Sequence, residues 1–306
     1  MQAYVNGEFV DLESGTIGIH DAGFQHAVGV FETMRAYKGH VFRLGDHIQR
    51  LINSAKELGL TNQLHPGPLC ELVDLALEKN ELQEARVRLT VTGGDLSLLA
   101  TAKQKALGNQ SNDMQHHPSV VIVVTPSTVY PDEMFEKGSR VVIADAKANP
   151  FDPMAGHKTL NYWARLRSLT EAAAAGAGEA LWFSVTNHLC GGAVSNAFVV
   201  KDDQLLTPIA HGEELQGAIC SPVLPGITRM AVIDVARDAL GIDTAKQMLS
   251  ITDVLEADEV FLTNSSWQIL PVVAVENEPI GDGQPGAVTK QLMKALDEHI
   301  ASECDD

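Results

Sequence analysis

A proline-rich break near the middle of the chain most constrains how it can fold, because it separates two parts that each need a core. The segment Thr125 to Pro131 holds two prolines among Ser and Thr residues, a composition typical of a linker between domains. The chain has 306 residues, of which 45% are hydrophobic, which is enough for two moderate domains. We therefore predict one domain over 1–126, a linker over 127–137 and a second domain over 138–306.

The charge balance narrows the class of partner. The chain carries 22 Lys and Arg against 40 Asp and Glu, a formal net charge of −18. This acidity argues against nucleic acid and anionic membranes as the main partners. No apolar run approaches the ~18 residues that span a bilayer, and the N-terminus lacks the basic and apolar regions of a signal peptide. The four cysteines form no C-x-x-C pair, so we expect no disulfide framework or zinc site and predict a cytoplasmic protein: Cys70, Cys190, Cys220 and Cys304.

Alternating β-rich and helical segments are predicted in both parts. In the first part, Asn6-Gly7 supplies the turn of a hairpin over 4–10, and Asp46 is predicted to cap a helix whose buried stripe includes Ile48 and Leu51. The other elements predicted there are strands over 29–37, 40–43, 86–92 and 119–124, a helix over 67–79 and a polar loop over 94–117. In the second part we predict strands over 140–144, 180–185, 193–200, 204–206 and 260–266, and helices over 162–175 and 230–239.

One lysine stands where a loop is predicted to meet a helix. The stretch Gly156 to Trp163 reads Gly-His-Lys-Thr-Leu-Asn-Tyr-Trp and follows the turn-forming segment 148–153. An amine held at such a junction, in a partly desolvated pocket, can form a Schiff base with a carbonyl compound. The alternative is that Lys158 is an ordinary surface lysine, and its position alone does not decide between the two.

Two segments are candidates for binding a phosphate group. In Pro225 to Arg229 a glycine precedes a predicted helix, and the free amides of a helix N-terminus bind anions. The segment Thr263 to Ser266 adds several donors at a strand end, and Arg50 is the candidate cation because arginine binds phosphate strongly and directionally. The alternatives are a plain helix start, an ordinary polar turn and a solvated helix arginine.

Several motifs follow one another in an order that resembles a known family. They are NGE, FET, FRL, KTLNY, SN-F, LPGITR and FLTNS, spread from residue 5 to residue 272. In this order they resemble the fold-type IV enzymes that depend on pyridoxal 5′-phosphate (PLP). These are the class IV aminotransferases, which act on branched-chain or D-amino acids, with aminodeoxychorismate lyase as a relative. The resemblance implies a two-domain fold like that of D-amino acid aminotransferase, with a smaller α+β domain before the linker and a larger, barrel-like α/β domain that binds PLP. It also implies a homodimer.

The resemblance assigns roles by position. Lys158 matches the lysine that binds PLP covalently, Arg50 matches the arginine that holds its phosphate, and Tyr162 matches the tyrosine at the O3′ oxygen. The full set implied for the cofactor is Arg50, Lys158, Tyr162, Gly191, Ile227, Thr228 and Ser265. The set implied for the substrate is His26, Arg88, Ser265 and Ser266, with the amides of the last two facing the substrate carboxylate.

The chain departs from the family pattern at four places. Gly191 stands where the family has the glutamate that pairs with the pyridine nitrogen, and His26 stands where it has a substrate-side tyrosine. Gly93 replaces an arginine of the D-amino acid enzymes, which disfavours D-amino acid substrates. The segment 208–224 is longer than the usual connection, and its sequence does not reveal a role. A glycine pair can also mark a strand bend without chemical meaning. If the glutamate is what the site lacks, replacing Gly191 by Glu should restore part of the rate.

The sequence thus predicts a PLP-dependent aminotransferase. It would move an amino group from a small, for example branched-chain, amino acid to a 2-oxo acid, with Lys158 as the general base and acid. Two alternatives remain at this point. One is an elimination of the aminodeoxychorismate lyase type, and the other is a PLP-binding protein with weak or no turnover, suggested by Gly191.

Overall fold

The structure, a computed structural model, describes residues 1–95 and 117–305. Its contacts divide the chain into two compact units. The first comprises Met1–Ser127 and Lys158–Asn161, and the second comprises Thr128–His157 and Tyr162–Asp306. Four residues around Lys158 therefore belong to the first unit, although the chain reaches them only after it has entered the second.

The first unit is built on a six-stranded antiparallel sheet with the order β2-β1-β6-β5-β3-β4. Its strands are β1 (Gln2–Val5), β2 (Glu8–Asp11), β3 (Gly29–Tyr37), β4 (His40–Val41), β5 (Ala85–Thr92) and β6 (Val120–Pro126). Its helices are α1 (Ala22–His26), α2 (Leu44–Glu57) and α3 (Pro66–Asn80), with a 3-10 turn at Leu12–Ser14. The predicted hairpin, strands and helices of this part are confirmed, whereas most of the predicted loop over 94–117 lies outside the described residues.

Helix α2 shows how local sequence and tertiary packing cooperate. Its predicted stripe is confirmed, because Ile48 and Leu51 are buried in a core shared with α3 and the sheet. The prediction that Asp46 caps the helix is wrong. The helix begins at Leu44, after Arg43 in a left-handed conformation (φ 53°, ψ 41°), and Asp46 lies in its first turn. The sharp change of direction after β4 requires this conformation and so sets the start of the helix.

The second unit is built on a mixed nine-stranded sheet with the order β12-β11-β10-β13-β14-β7-β8-β9, in which β15 also pairs with β14. Its strands are β7 (Ser139–Ala148), β8 (Glu179–Ser184), β9 (Leu189–Gly192), β10 (Asn196–Lys201), β11 (Gln204–Thr207), β12 (Thr244–Lys246), β13 (Glu259–Asn264), β14 (Gln268–Val275) and β15 (Glu278–Pro279). Its helices are α4 (Glu133–Glu136), α5 (Trp163–Ala174), α6 (Ile227–Leu240), α7 (Ile251–Leu255) and α8 (Ala287–Glu303). Helix α4 falls inside the predicted linker.

The predicted elements of the second unit are confirmed with shifted ends. The largest shift is at β10, which begins at Asn196 rather than at 193, because residues 193–195 form a turn between β9 and β10. Strand β9 and helix α8 were not predicted. The packed core lies on both faces of the sheet. Among the described residues, no helix is both long and apolar enough to cross a membrane.

Candidate active site

Lys158 is held against the first strand of the family motif in the first unit. The amide of Phe31 donates to the carbonyl of Lys158 at 2.9 Å, and the amide of Leu160 donates to the carbonyl of Gly29 at 3.0 Å. A Cβ atom at residue 29 would lie 2.7 Å from Leu160 Cδ1, so only a glycine permits this approach. The backbone on both sides of the lysine is therefore fixed to β3.

The Lys158 ammonium lies over a buried aromatic ring. Its Nζ is 4.5 Å from the centre of the Phe31 ring, and the guanidinium carbon of Arg88 is 3.8 Å from the centre of the same ring. A cation over an aromatic face is attracted by the ring's electrons. The structure therefore brings together two predicted residues, the candidate catalytic lysine and the candidate substrate arginine, through a side chain that the sequence did not single out.

Arg50 has a partner that sequence reasoning missed. Its Nε and Nη2 atoms donate to the two carboxylate oxygens of Glu32 at 2.7 and 2.6 Å, and His47 Nδ1 lies 2.8 Å from the same carboxylate. Glu32 is 1% exposed and Arg50 is 10% exposed. The carboxylate thus orients the guanidinium that is predicted to hold the phosphate. The FET motif and the His47-Ile48-Gln49-Arg50 stretch contain this set, but only the pairing of strand and helix reveals it.

The protonation states of this group follow from burial and charge. Burial alone raises the pKa of Glu32, but the charge of Arg50 and the contacts with His47 outweigh it and lower this pKa to about 2. Burial lowers the pKa of His47, and the charges of Arg50 and Lys158 act in the same direction, although the contact with Glu32 opposes them. The first unit therefore holds an ionised carboxylate between a cationic arginine and a neutral imidazole.

The second unit presents the predicted phosphate loop at the start of α6. Ile227 and Thr228 are the first two helical residues, and both are buried. Gly226 precedes them in an extended conformation (φ −67°, ψ 135°), so the amides of the first turn point out of the helix end. A Cβ atom at residue 226 would lie 1.9 Å from Asn196 Oδ1, and Asn196 Nδ2 donates to the Leu224 carbonyl at 2.8 Å. Asn196 therefore fastens the loop in place.

The long segment 208–224 has a structural partner on the same helix. Glu213 accepts two hydrogen bonds from Arg229, from Nη1 at 2.9 Å and from Nη2 at 2.8 Å. Arg229 is fully buried and also donates to Thr207 Oγ1 and to the Pro208 carbonyl. Burial raises the pKa of Glu213, but the bonds from Arg229 and Lys246 outweigh it and lower it to about 2. The segment is thus tied to the first turn of the candidate phosphate helix.

The turn after β13 is organised by Asn264. Its side-chain oxygen accepts from the amides of Ser266 at 2.9 Å and Trp267 at 3.0 Å, and its Nδ2 donates to the Val194 carbonyl at 3.4 Å. The Ser266 amide therefore already has an acceptor within the turn, which the sequence did not indicate. Ser265 lies in the same turn, and its role stays a prediction.

The remaining predicted residues lie at element ends. His26 is the last residue of α1 and is exposed. Tyr162 precedes α5 and is half-buried, with the guanidinium carbon of Arg165 5.9 Å from the centre of its ring. The roles predicted for His26 and Tyr162 stay predictions.

Gly191 has a backbone conformation that a glutamate would not easily adopt. Its φ is +124°, and a Cβ atom there would lie 2.5 Å from the Ser195 carbonyl oxygen. The expectation that Gly191→Glu repairs the site is therefore wrong as stated, because the new residue would require the backbone to move. A carboxylate lies nearby in Glu179, which is fully buried, and burial raises its pKa. Glu179 accepts hydrogen bonds from the amides of Ala180, Ala193 and Val194 and from the Ser195 hydroxyl.

The chemistry of these groups fits PLP. A phosphate dianion suits the arginine of the first unit and the helix start of the second, where Gly226 leaves no room for a side chain. A carbonyl group suits the amine of Lys158, whose backbone is fixed on both sides. The structure thus holds the donor types that the cofactor requires.

Comparison with known proteins supports the same conclusion. Residues 29–275 match the family model of amino-transferase class IV. The branched-chain-amino-acid aminotransferase of Escherichia coli (strain K12) is 30% identical over 311 residues, covering 99% of this chain and 94% of the relative. A crystal structure of the Escherichia coli branched-chain amino acid aminotransferase superposes with a TM-score of 0.85 at 30% identity, covering 100% of this chain and 96% of the other.

A further structure bears on the cofactor. A second branched-chain amino acid aminotransferase, that of T.th., was solved with pyridoxamine 5′-phosphate. It superposes with a TM-score of 0.84 at 26% identity, covering 98% of this chain and 94% of the other. The family match, the shared fold and the fit of the donor groups agree. This chain belongs to the class IV aminotransferases, which are enzymes of fold type IV that use PLP.

Proposed function

We propose that this enzyme moves an amino group from a small amino acid to a 2-oxo acid, and that branched-chain amino acids are its preferred donors. The donor becomes its own 2-oxo acid, and the acceptor becomes an amino acid. The observation that carries the proposal is the placement of Lys158, whose backbone is bonded to β3 and whose amine lies over Phe31. The similarity to branched-chain aminotransferases supports the choice of substrate.

Lys158 has two tasks in this proposal. Its Nζ binds the cofactor covalently, and once substrate has released it, the same amine takes the proton from the substrate Cα and delivers it to the C4′ carbon. PLP, when bound, supplies the electron sink for this step. The hydrogen bonds of Phe31 and Leu160 hold the backbone while the side chain moves.

The phosphate is proposed to be held by two groups of donors. Arg50 supplies a guanidinium that Glu32 keeps in one orientation, and the first turn of α6 supplies the amides at Ile227 and Thr228 together with the Thr228 hydroxyl. Arg88, Ser265 and the other substrate residues predicted from the sequence remain assigned to the substrate: His26 and Ser266.

We also propose a cytoplasmic homodimer. Large apolar side chains are exposed in both units, among them Phe24 in the first and Phe151, Trp163 and Leu215 in the second. Exposed apolar side chains of this size are typical of surfaces that another molecule covers. All four cysteines are free thiols, which suits a reducing compartment.

The covalent step is tested by trapping. Borohydride reduction of the PLP-loaded protein, followed by peptide mass mapping, should place the pyridoxyl group on Lys158. Lys158→Ala should abolish the modification, and Lys147→Ala is the matched control because that exposed lysine also lies over an aromatic ring, 5.2 Å from the centre of Phe183. A pyridoxyl group on another lysine would refute the proposal.

The reaction type is tested by a half-reaction. L-Leucine, L-valine, L-alanine and D-alanine are each added without a 2-oxo acid, and the absorbance of the bound cofactor is followed. A transfer stops after one conversion to the pyridoxamine form and resumes when 2-oxoglutarate or pyruvate is added. Continuous pyruvate release from aminodeoxychorismate would instead establish a lyase. Faster conversion by D-alanine than by the L-amino acids would contradict the proposed substrate class.

A further inference from the structure

Trp182 is a buried donor without an acceptor. It lies in β8, is 6% exposed, and its Nε1 has no hydrogen-bond partner among residues 1–95 and 117–305. Buried indole N–H groups in native proteins usually have a partner, because leaving one unsatisfied is unfavourable. This donor therefore points to an acceptor atom that belongs to a bound molecule.

Trp182 stands opposite the glycine that replaces the family's glutamate. In the β8–β9 pairing Trp182 is the direct partner of Gly191, and the register shifts immediately afterwards, between Trp182 and Phe183. Directly opposed residues are the nearest neighbours across a strand pair. Since Gly191 and Gly192 carry no side chains, the indole is the large side chain at this position of the strand pair.

The charged group over the indole is a cation. The guanidinium carbon of Arg165 is 4.8 Å from the centre of the Trp182 ring, and Arg165 Nη1 donates to the carbonyls of Ala193 at 2.8 Å and Gly192 at 3.3 Å. The carboxylate of Glu179 is bonded to the turn that follows β9, through Ala193, Val194 and Ser195. Lys147, the other charged group acting on this strand pair, is also a cation.

We propose that Trp182 Nε1–H and the Arg165 guanidinium face the pyridine nitrogen of PLP and keep it as an unprotonated hydrogen-bond acceptor. This rests on the proposed function. A nitrogen that carries a proton is a donor and cannot accept a bond from the indole. A guanidinium nearby also disfavours a second positive charge on the ring.

The arrangement has a chemical consequence. A neutral pyridine withdraws electrons less strongly than a protonated one, so removal of the Cα proton receives less help from the ring. The chain compensates with placement, through the fixed backbone of Lys158. Gly191 is then part of a rebuilt nitrogen subsite that contains a tryptophan and an arginine.

The state of the nitrogen is measured directly with PLP labelled with 15N in its ring. The 15N chemical shift separates a protonated from an unprotonated pyridine at neutral pH, independently of turnover. We expect the unprotonated signal in the loaded parent protein. A protonated nitrogen there would overturn the inference.

Two variants and a control assign the signal to its source. Trp182→Phe removes the N–H, so it should move the 15N signal and weaken PLP binding roughly two- to tenfold, the range for one neutral hydrogen bond. Arg165→Gln should move the nitrogen towards protonation. Trp267→Phe is the control, because Trp267 Nε1 is also buried without a partner among the described residues but lies in the turn after β13. An unchanged signal and affinity in both Trp182→Phe and Arg165→Gln would refute the proposal.

Peptide mapping separates this inference from the proposed function. If borohydride reduction labels Lys158 and the nitrogen is protonated, the inference alone fails. If Lys158 is never labelled, the proposed function and this inference fail together.

Discussion

Each unit of the molecule holds one arginine in a two-point hydrogen bond with a glutamate, but the buried partner differs. In the first unit the carboxylate of Glu32 is 1% exposed and Arg50 is 10% exposed. In the second unit Arg229 is 0% exposed and Glu213 is 20% exposed. A buried carboxylate that holds a more accessible arginine presents that arginine to a ligand. A buried arginine that holds a more accessible glutamate anchors the segment from which the glutamate comes.

The largest effect is expected when Arg50 is removed. Arg50→Ala leaves the Glu32 carboxylate buried beside a neutral imidazole, which should destabilise the fold by about 3–5 kcal/mol. It should also weaken PLP binding by roughly 2–5 kcal/mol, because the phosphate loses a charged partner. Urea unfolding of the apoprotein and a PLP titration measure the two terms separately.

The double variant Glu32→Gln/Arg50→Ala separates presentation from stability. It should regain most of the stability, since no unpaired charge is left buried, but PLP binding should stay weak. Full recovery of PLP binding would show that Arg50 does not hold the phosphate.

The second pair is tested from its accessible side. Glu213→Gln should destabilise the fold by about 2–3 kcal/mol, because it removes the charge that balances a fully buried arginine, while Arg229 keeps its bonds to Thr207 and Pro208. Protease cleavage within 208–224 should become faster. Lys246→Met, which removes only the half-exposed partner of Glu213, is the control and should cost under ~1 kcal/mol. Equal effects of the two changes would contradict an anchoring role.

Acid should weaken the first pair over a defined pH range. The pKa of Glu32 is lowered from 4.5 to about 2, so its stabilising contribution is fully present above pH 4.5 and is lost as the pH falls towards 2. The difference corresponds to about 3 kcal/mol. The pKa of His47 is lowered below 6.5, so keeping this imidazole neutral in the fold costs stability as the pH falls below 6.5. Unfolding free energies of the parent and of Glu32→Gln/Arg50→Ala, measured across this range, should converge at low pH. Parallel curves would contradict the assigned ionisation of Glu32.

The smallest effect is expected at an exposed pair of the same chemistry. Arg167 and Glu171 are four residues apart on α5 and are joined at 2.8 Å, but both are largely exposed. Glu171→Ala should change the unfolding free energy by no more than ~0.5 kcal/mol, since water solvates the remaining arginine. A loss comparable to that of Glu213→Gln would show that burial does not explain the difference between the pairs.

Local patterns were sufficient for most elements. The hairpin at Asn6-Gly7, the stripe of α2 and the strand that becomes β3 follow from turn chemistry and apolar periodicity, which act over a few residues. The helix cap at Asp46 was wrong because the chain direction after β4 sets the start of α2. Strand β9 was not predicted because Cys190, Gly191 and Gly192 carry little of the composition typical of strands.

The candidate site divides in the same way. The sequence by itself determined the order of the motifs, and with it Lys158, Arg50 and the start of α6. Only the tertiary structure decided what each of these residues contacts. Arg229 meets Glu213 across 16 residues, Arg50 meets Glu32 across 18, and Trp182 meets Gly191 through a shifted strand register. Such pairings depend on where strands and helices pack after the chain has folded back on itself, and no local pattern of residues specifies that distance or that register.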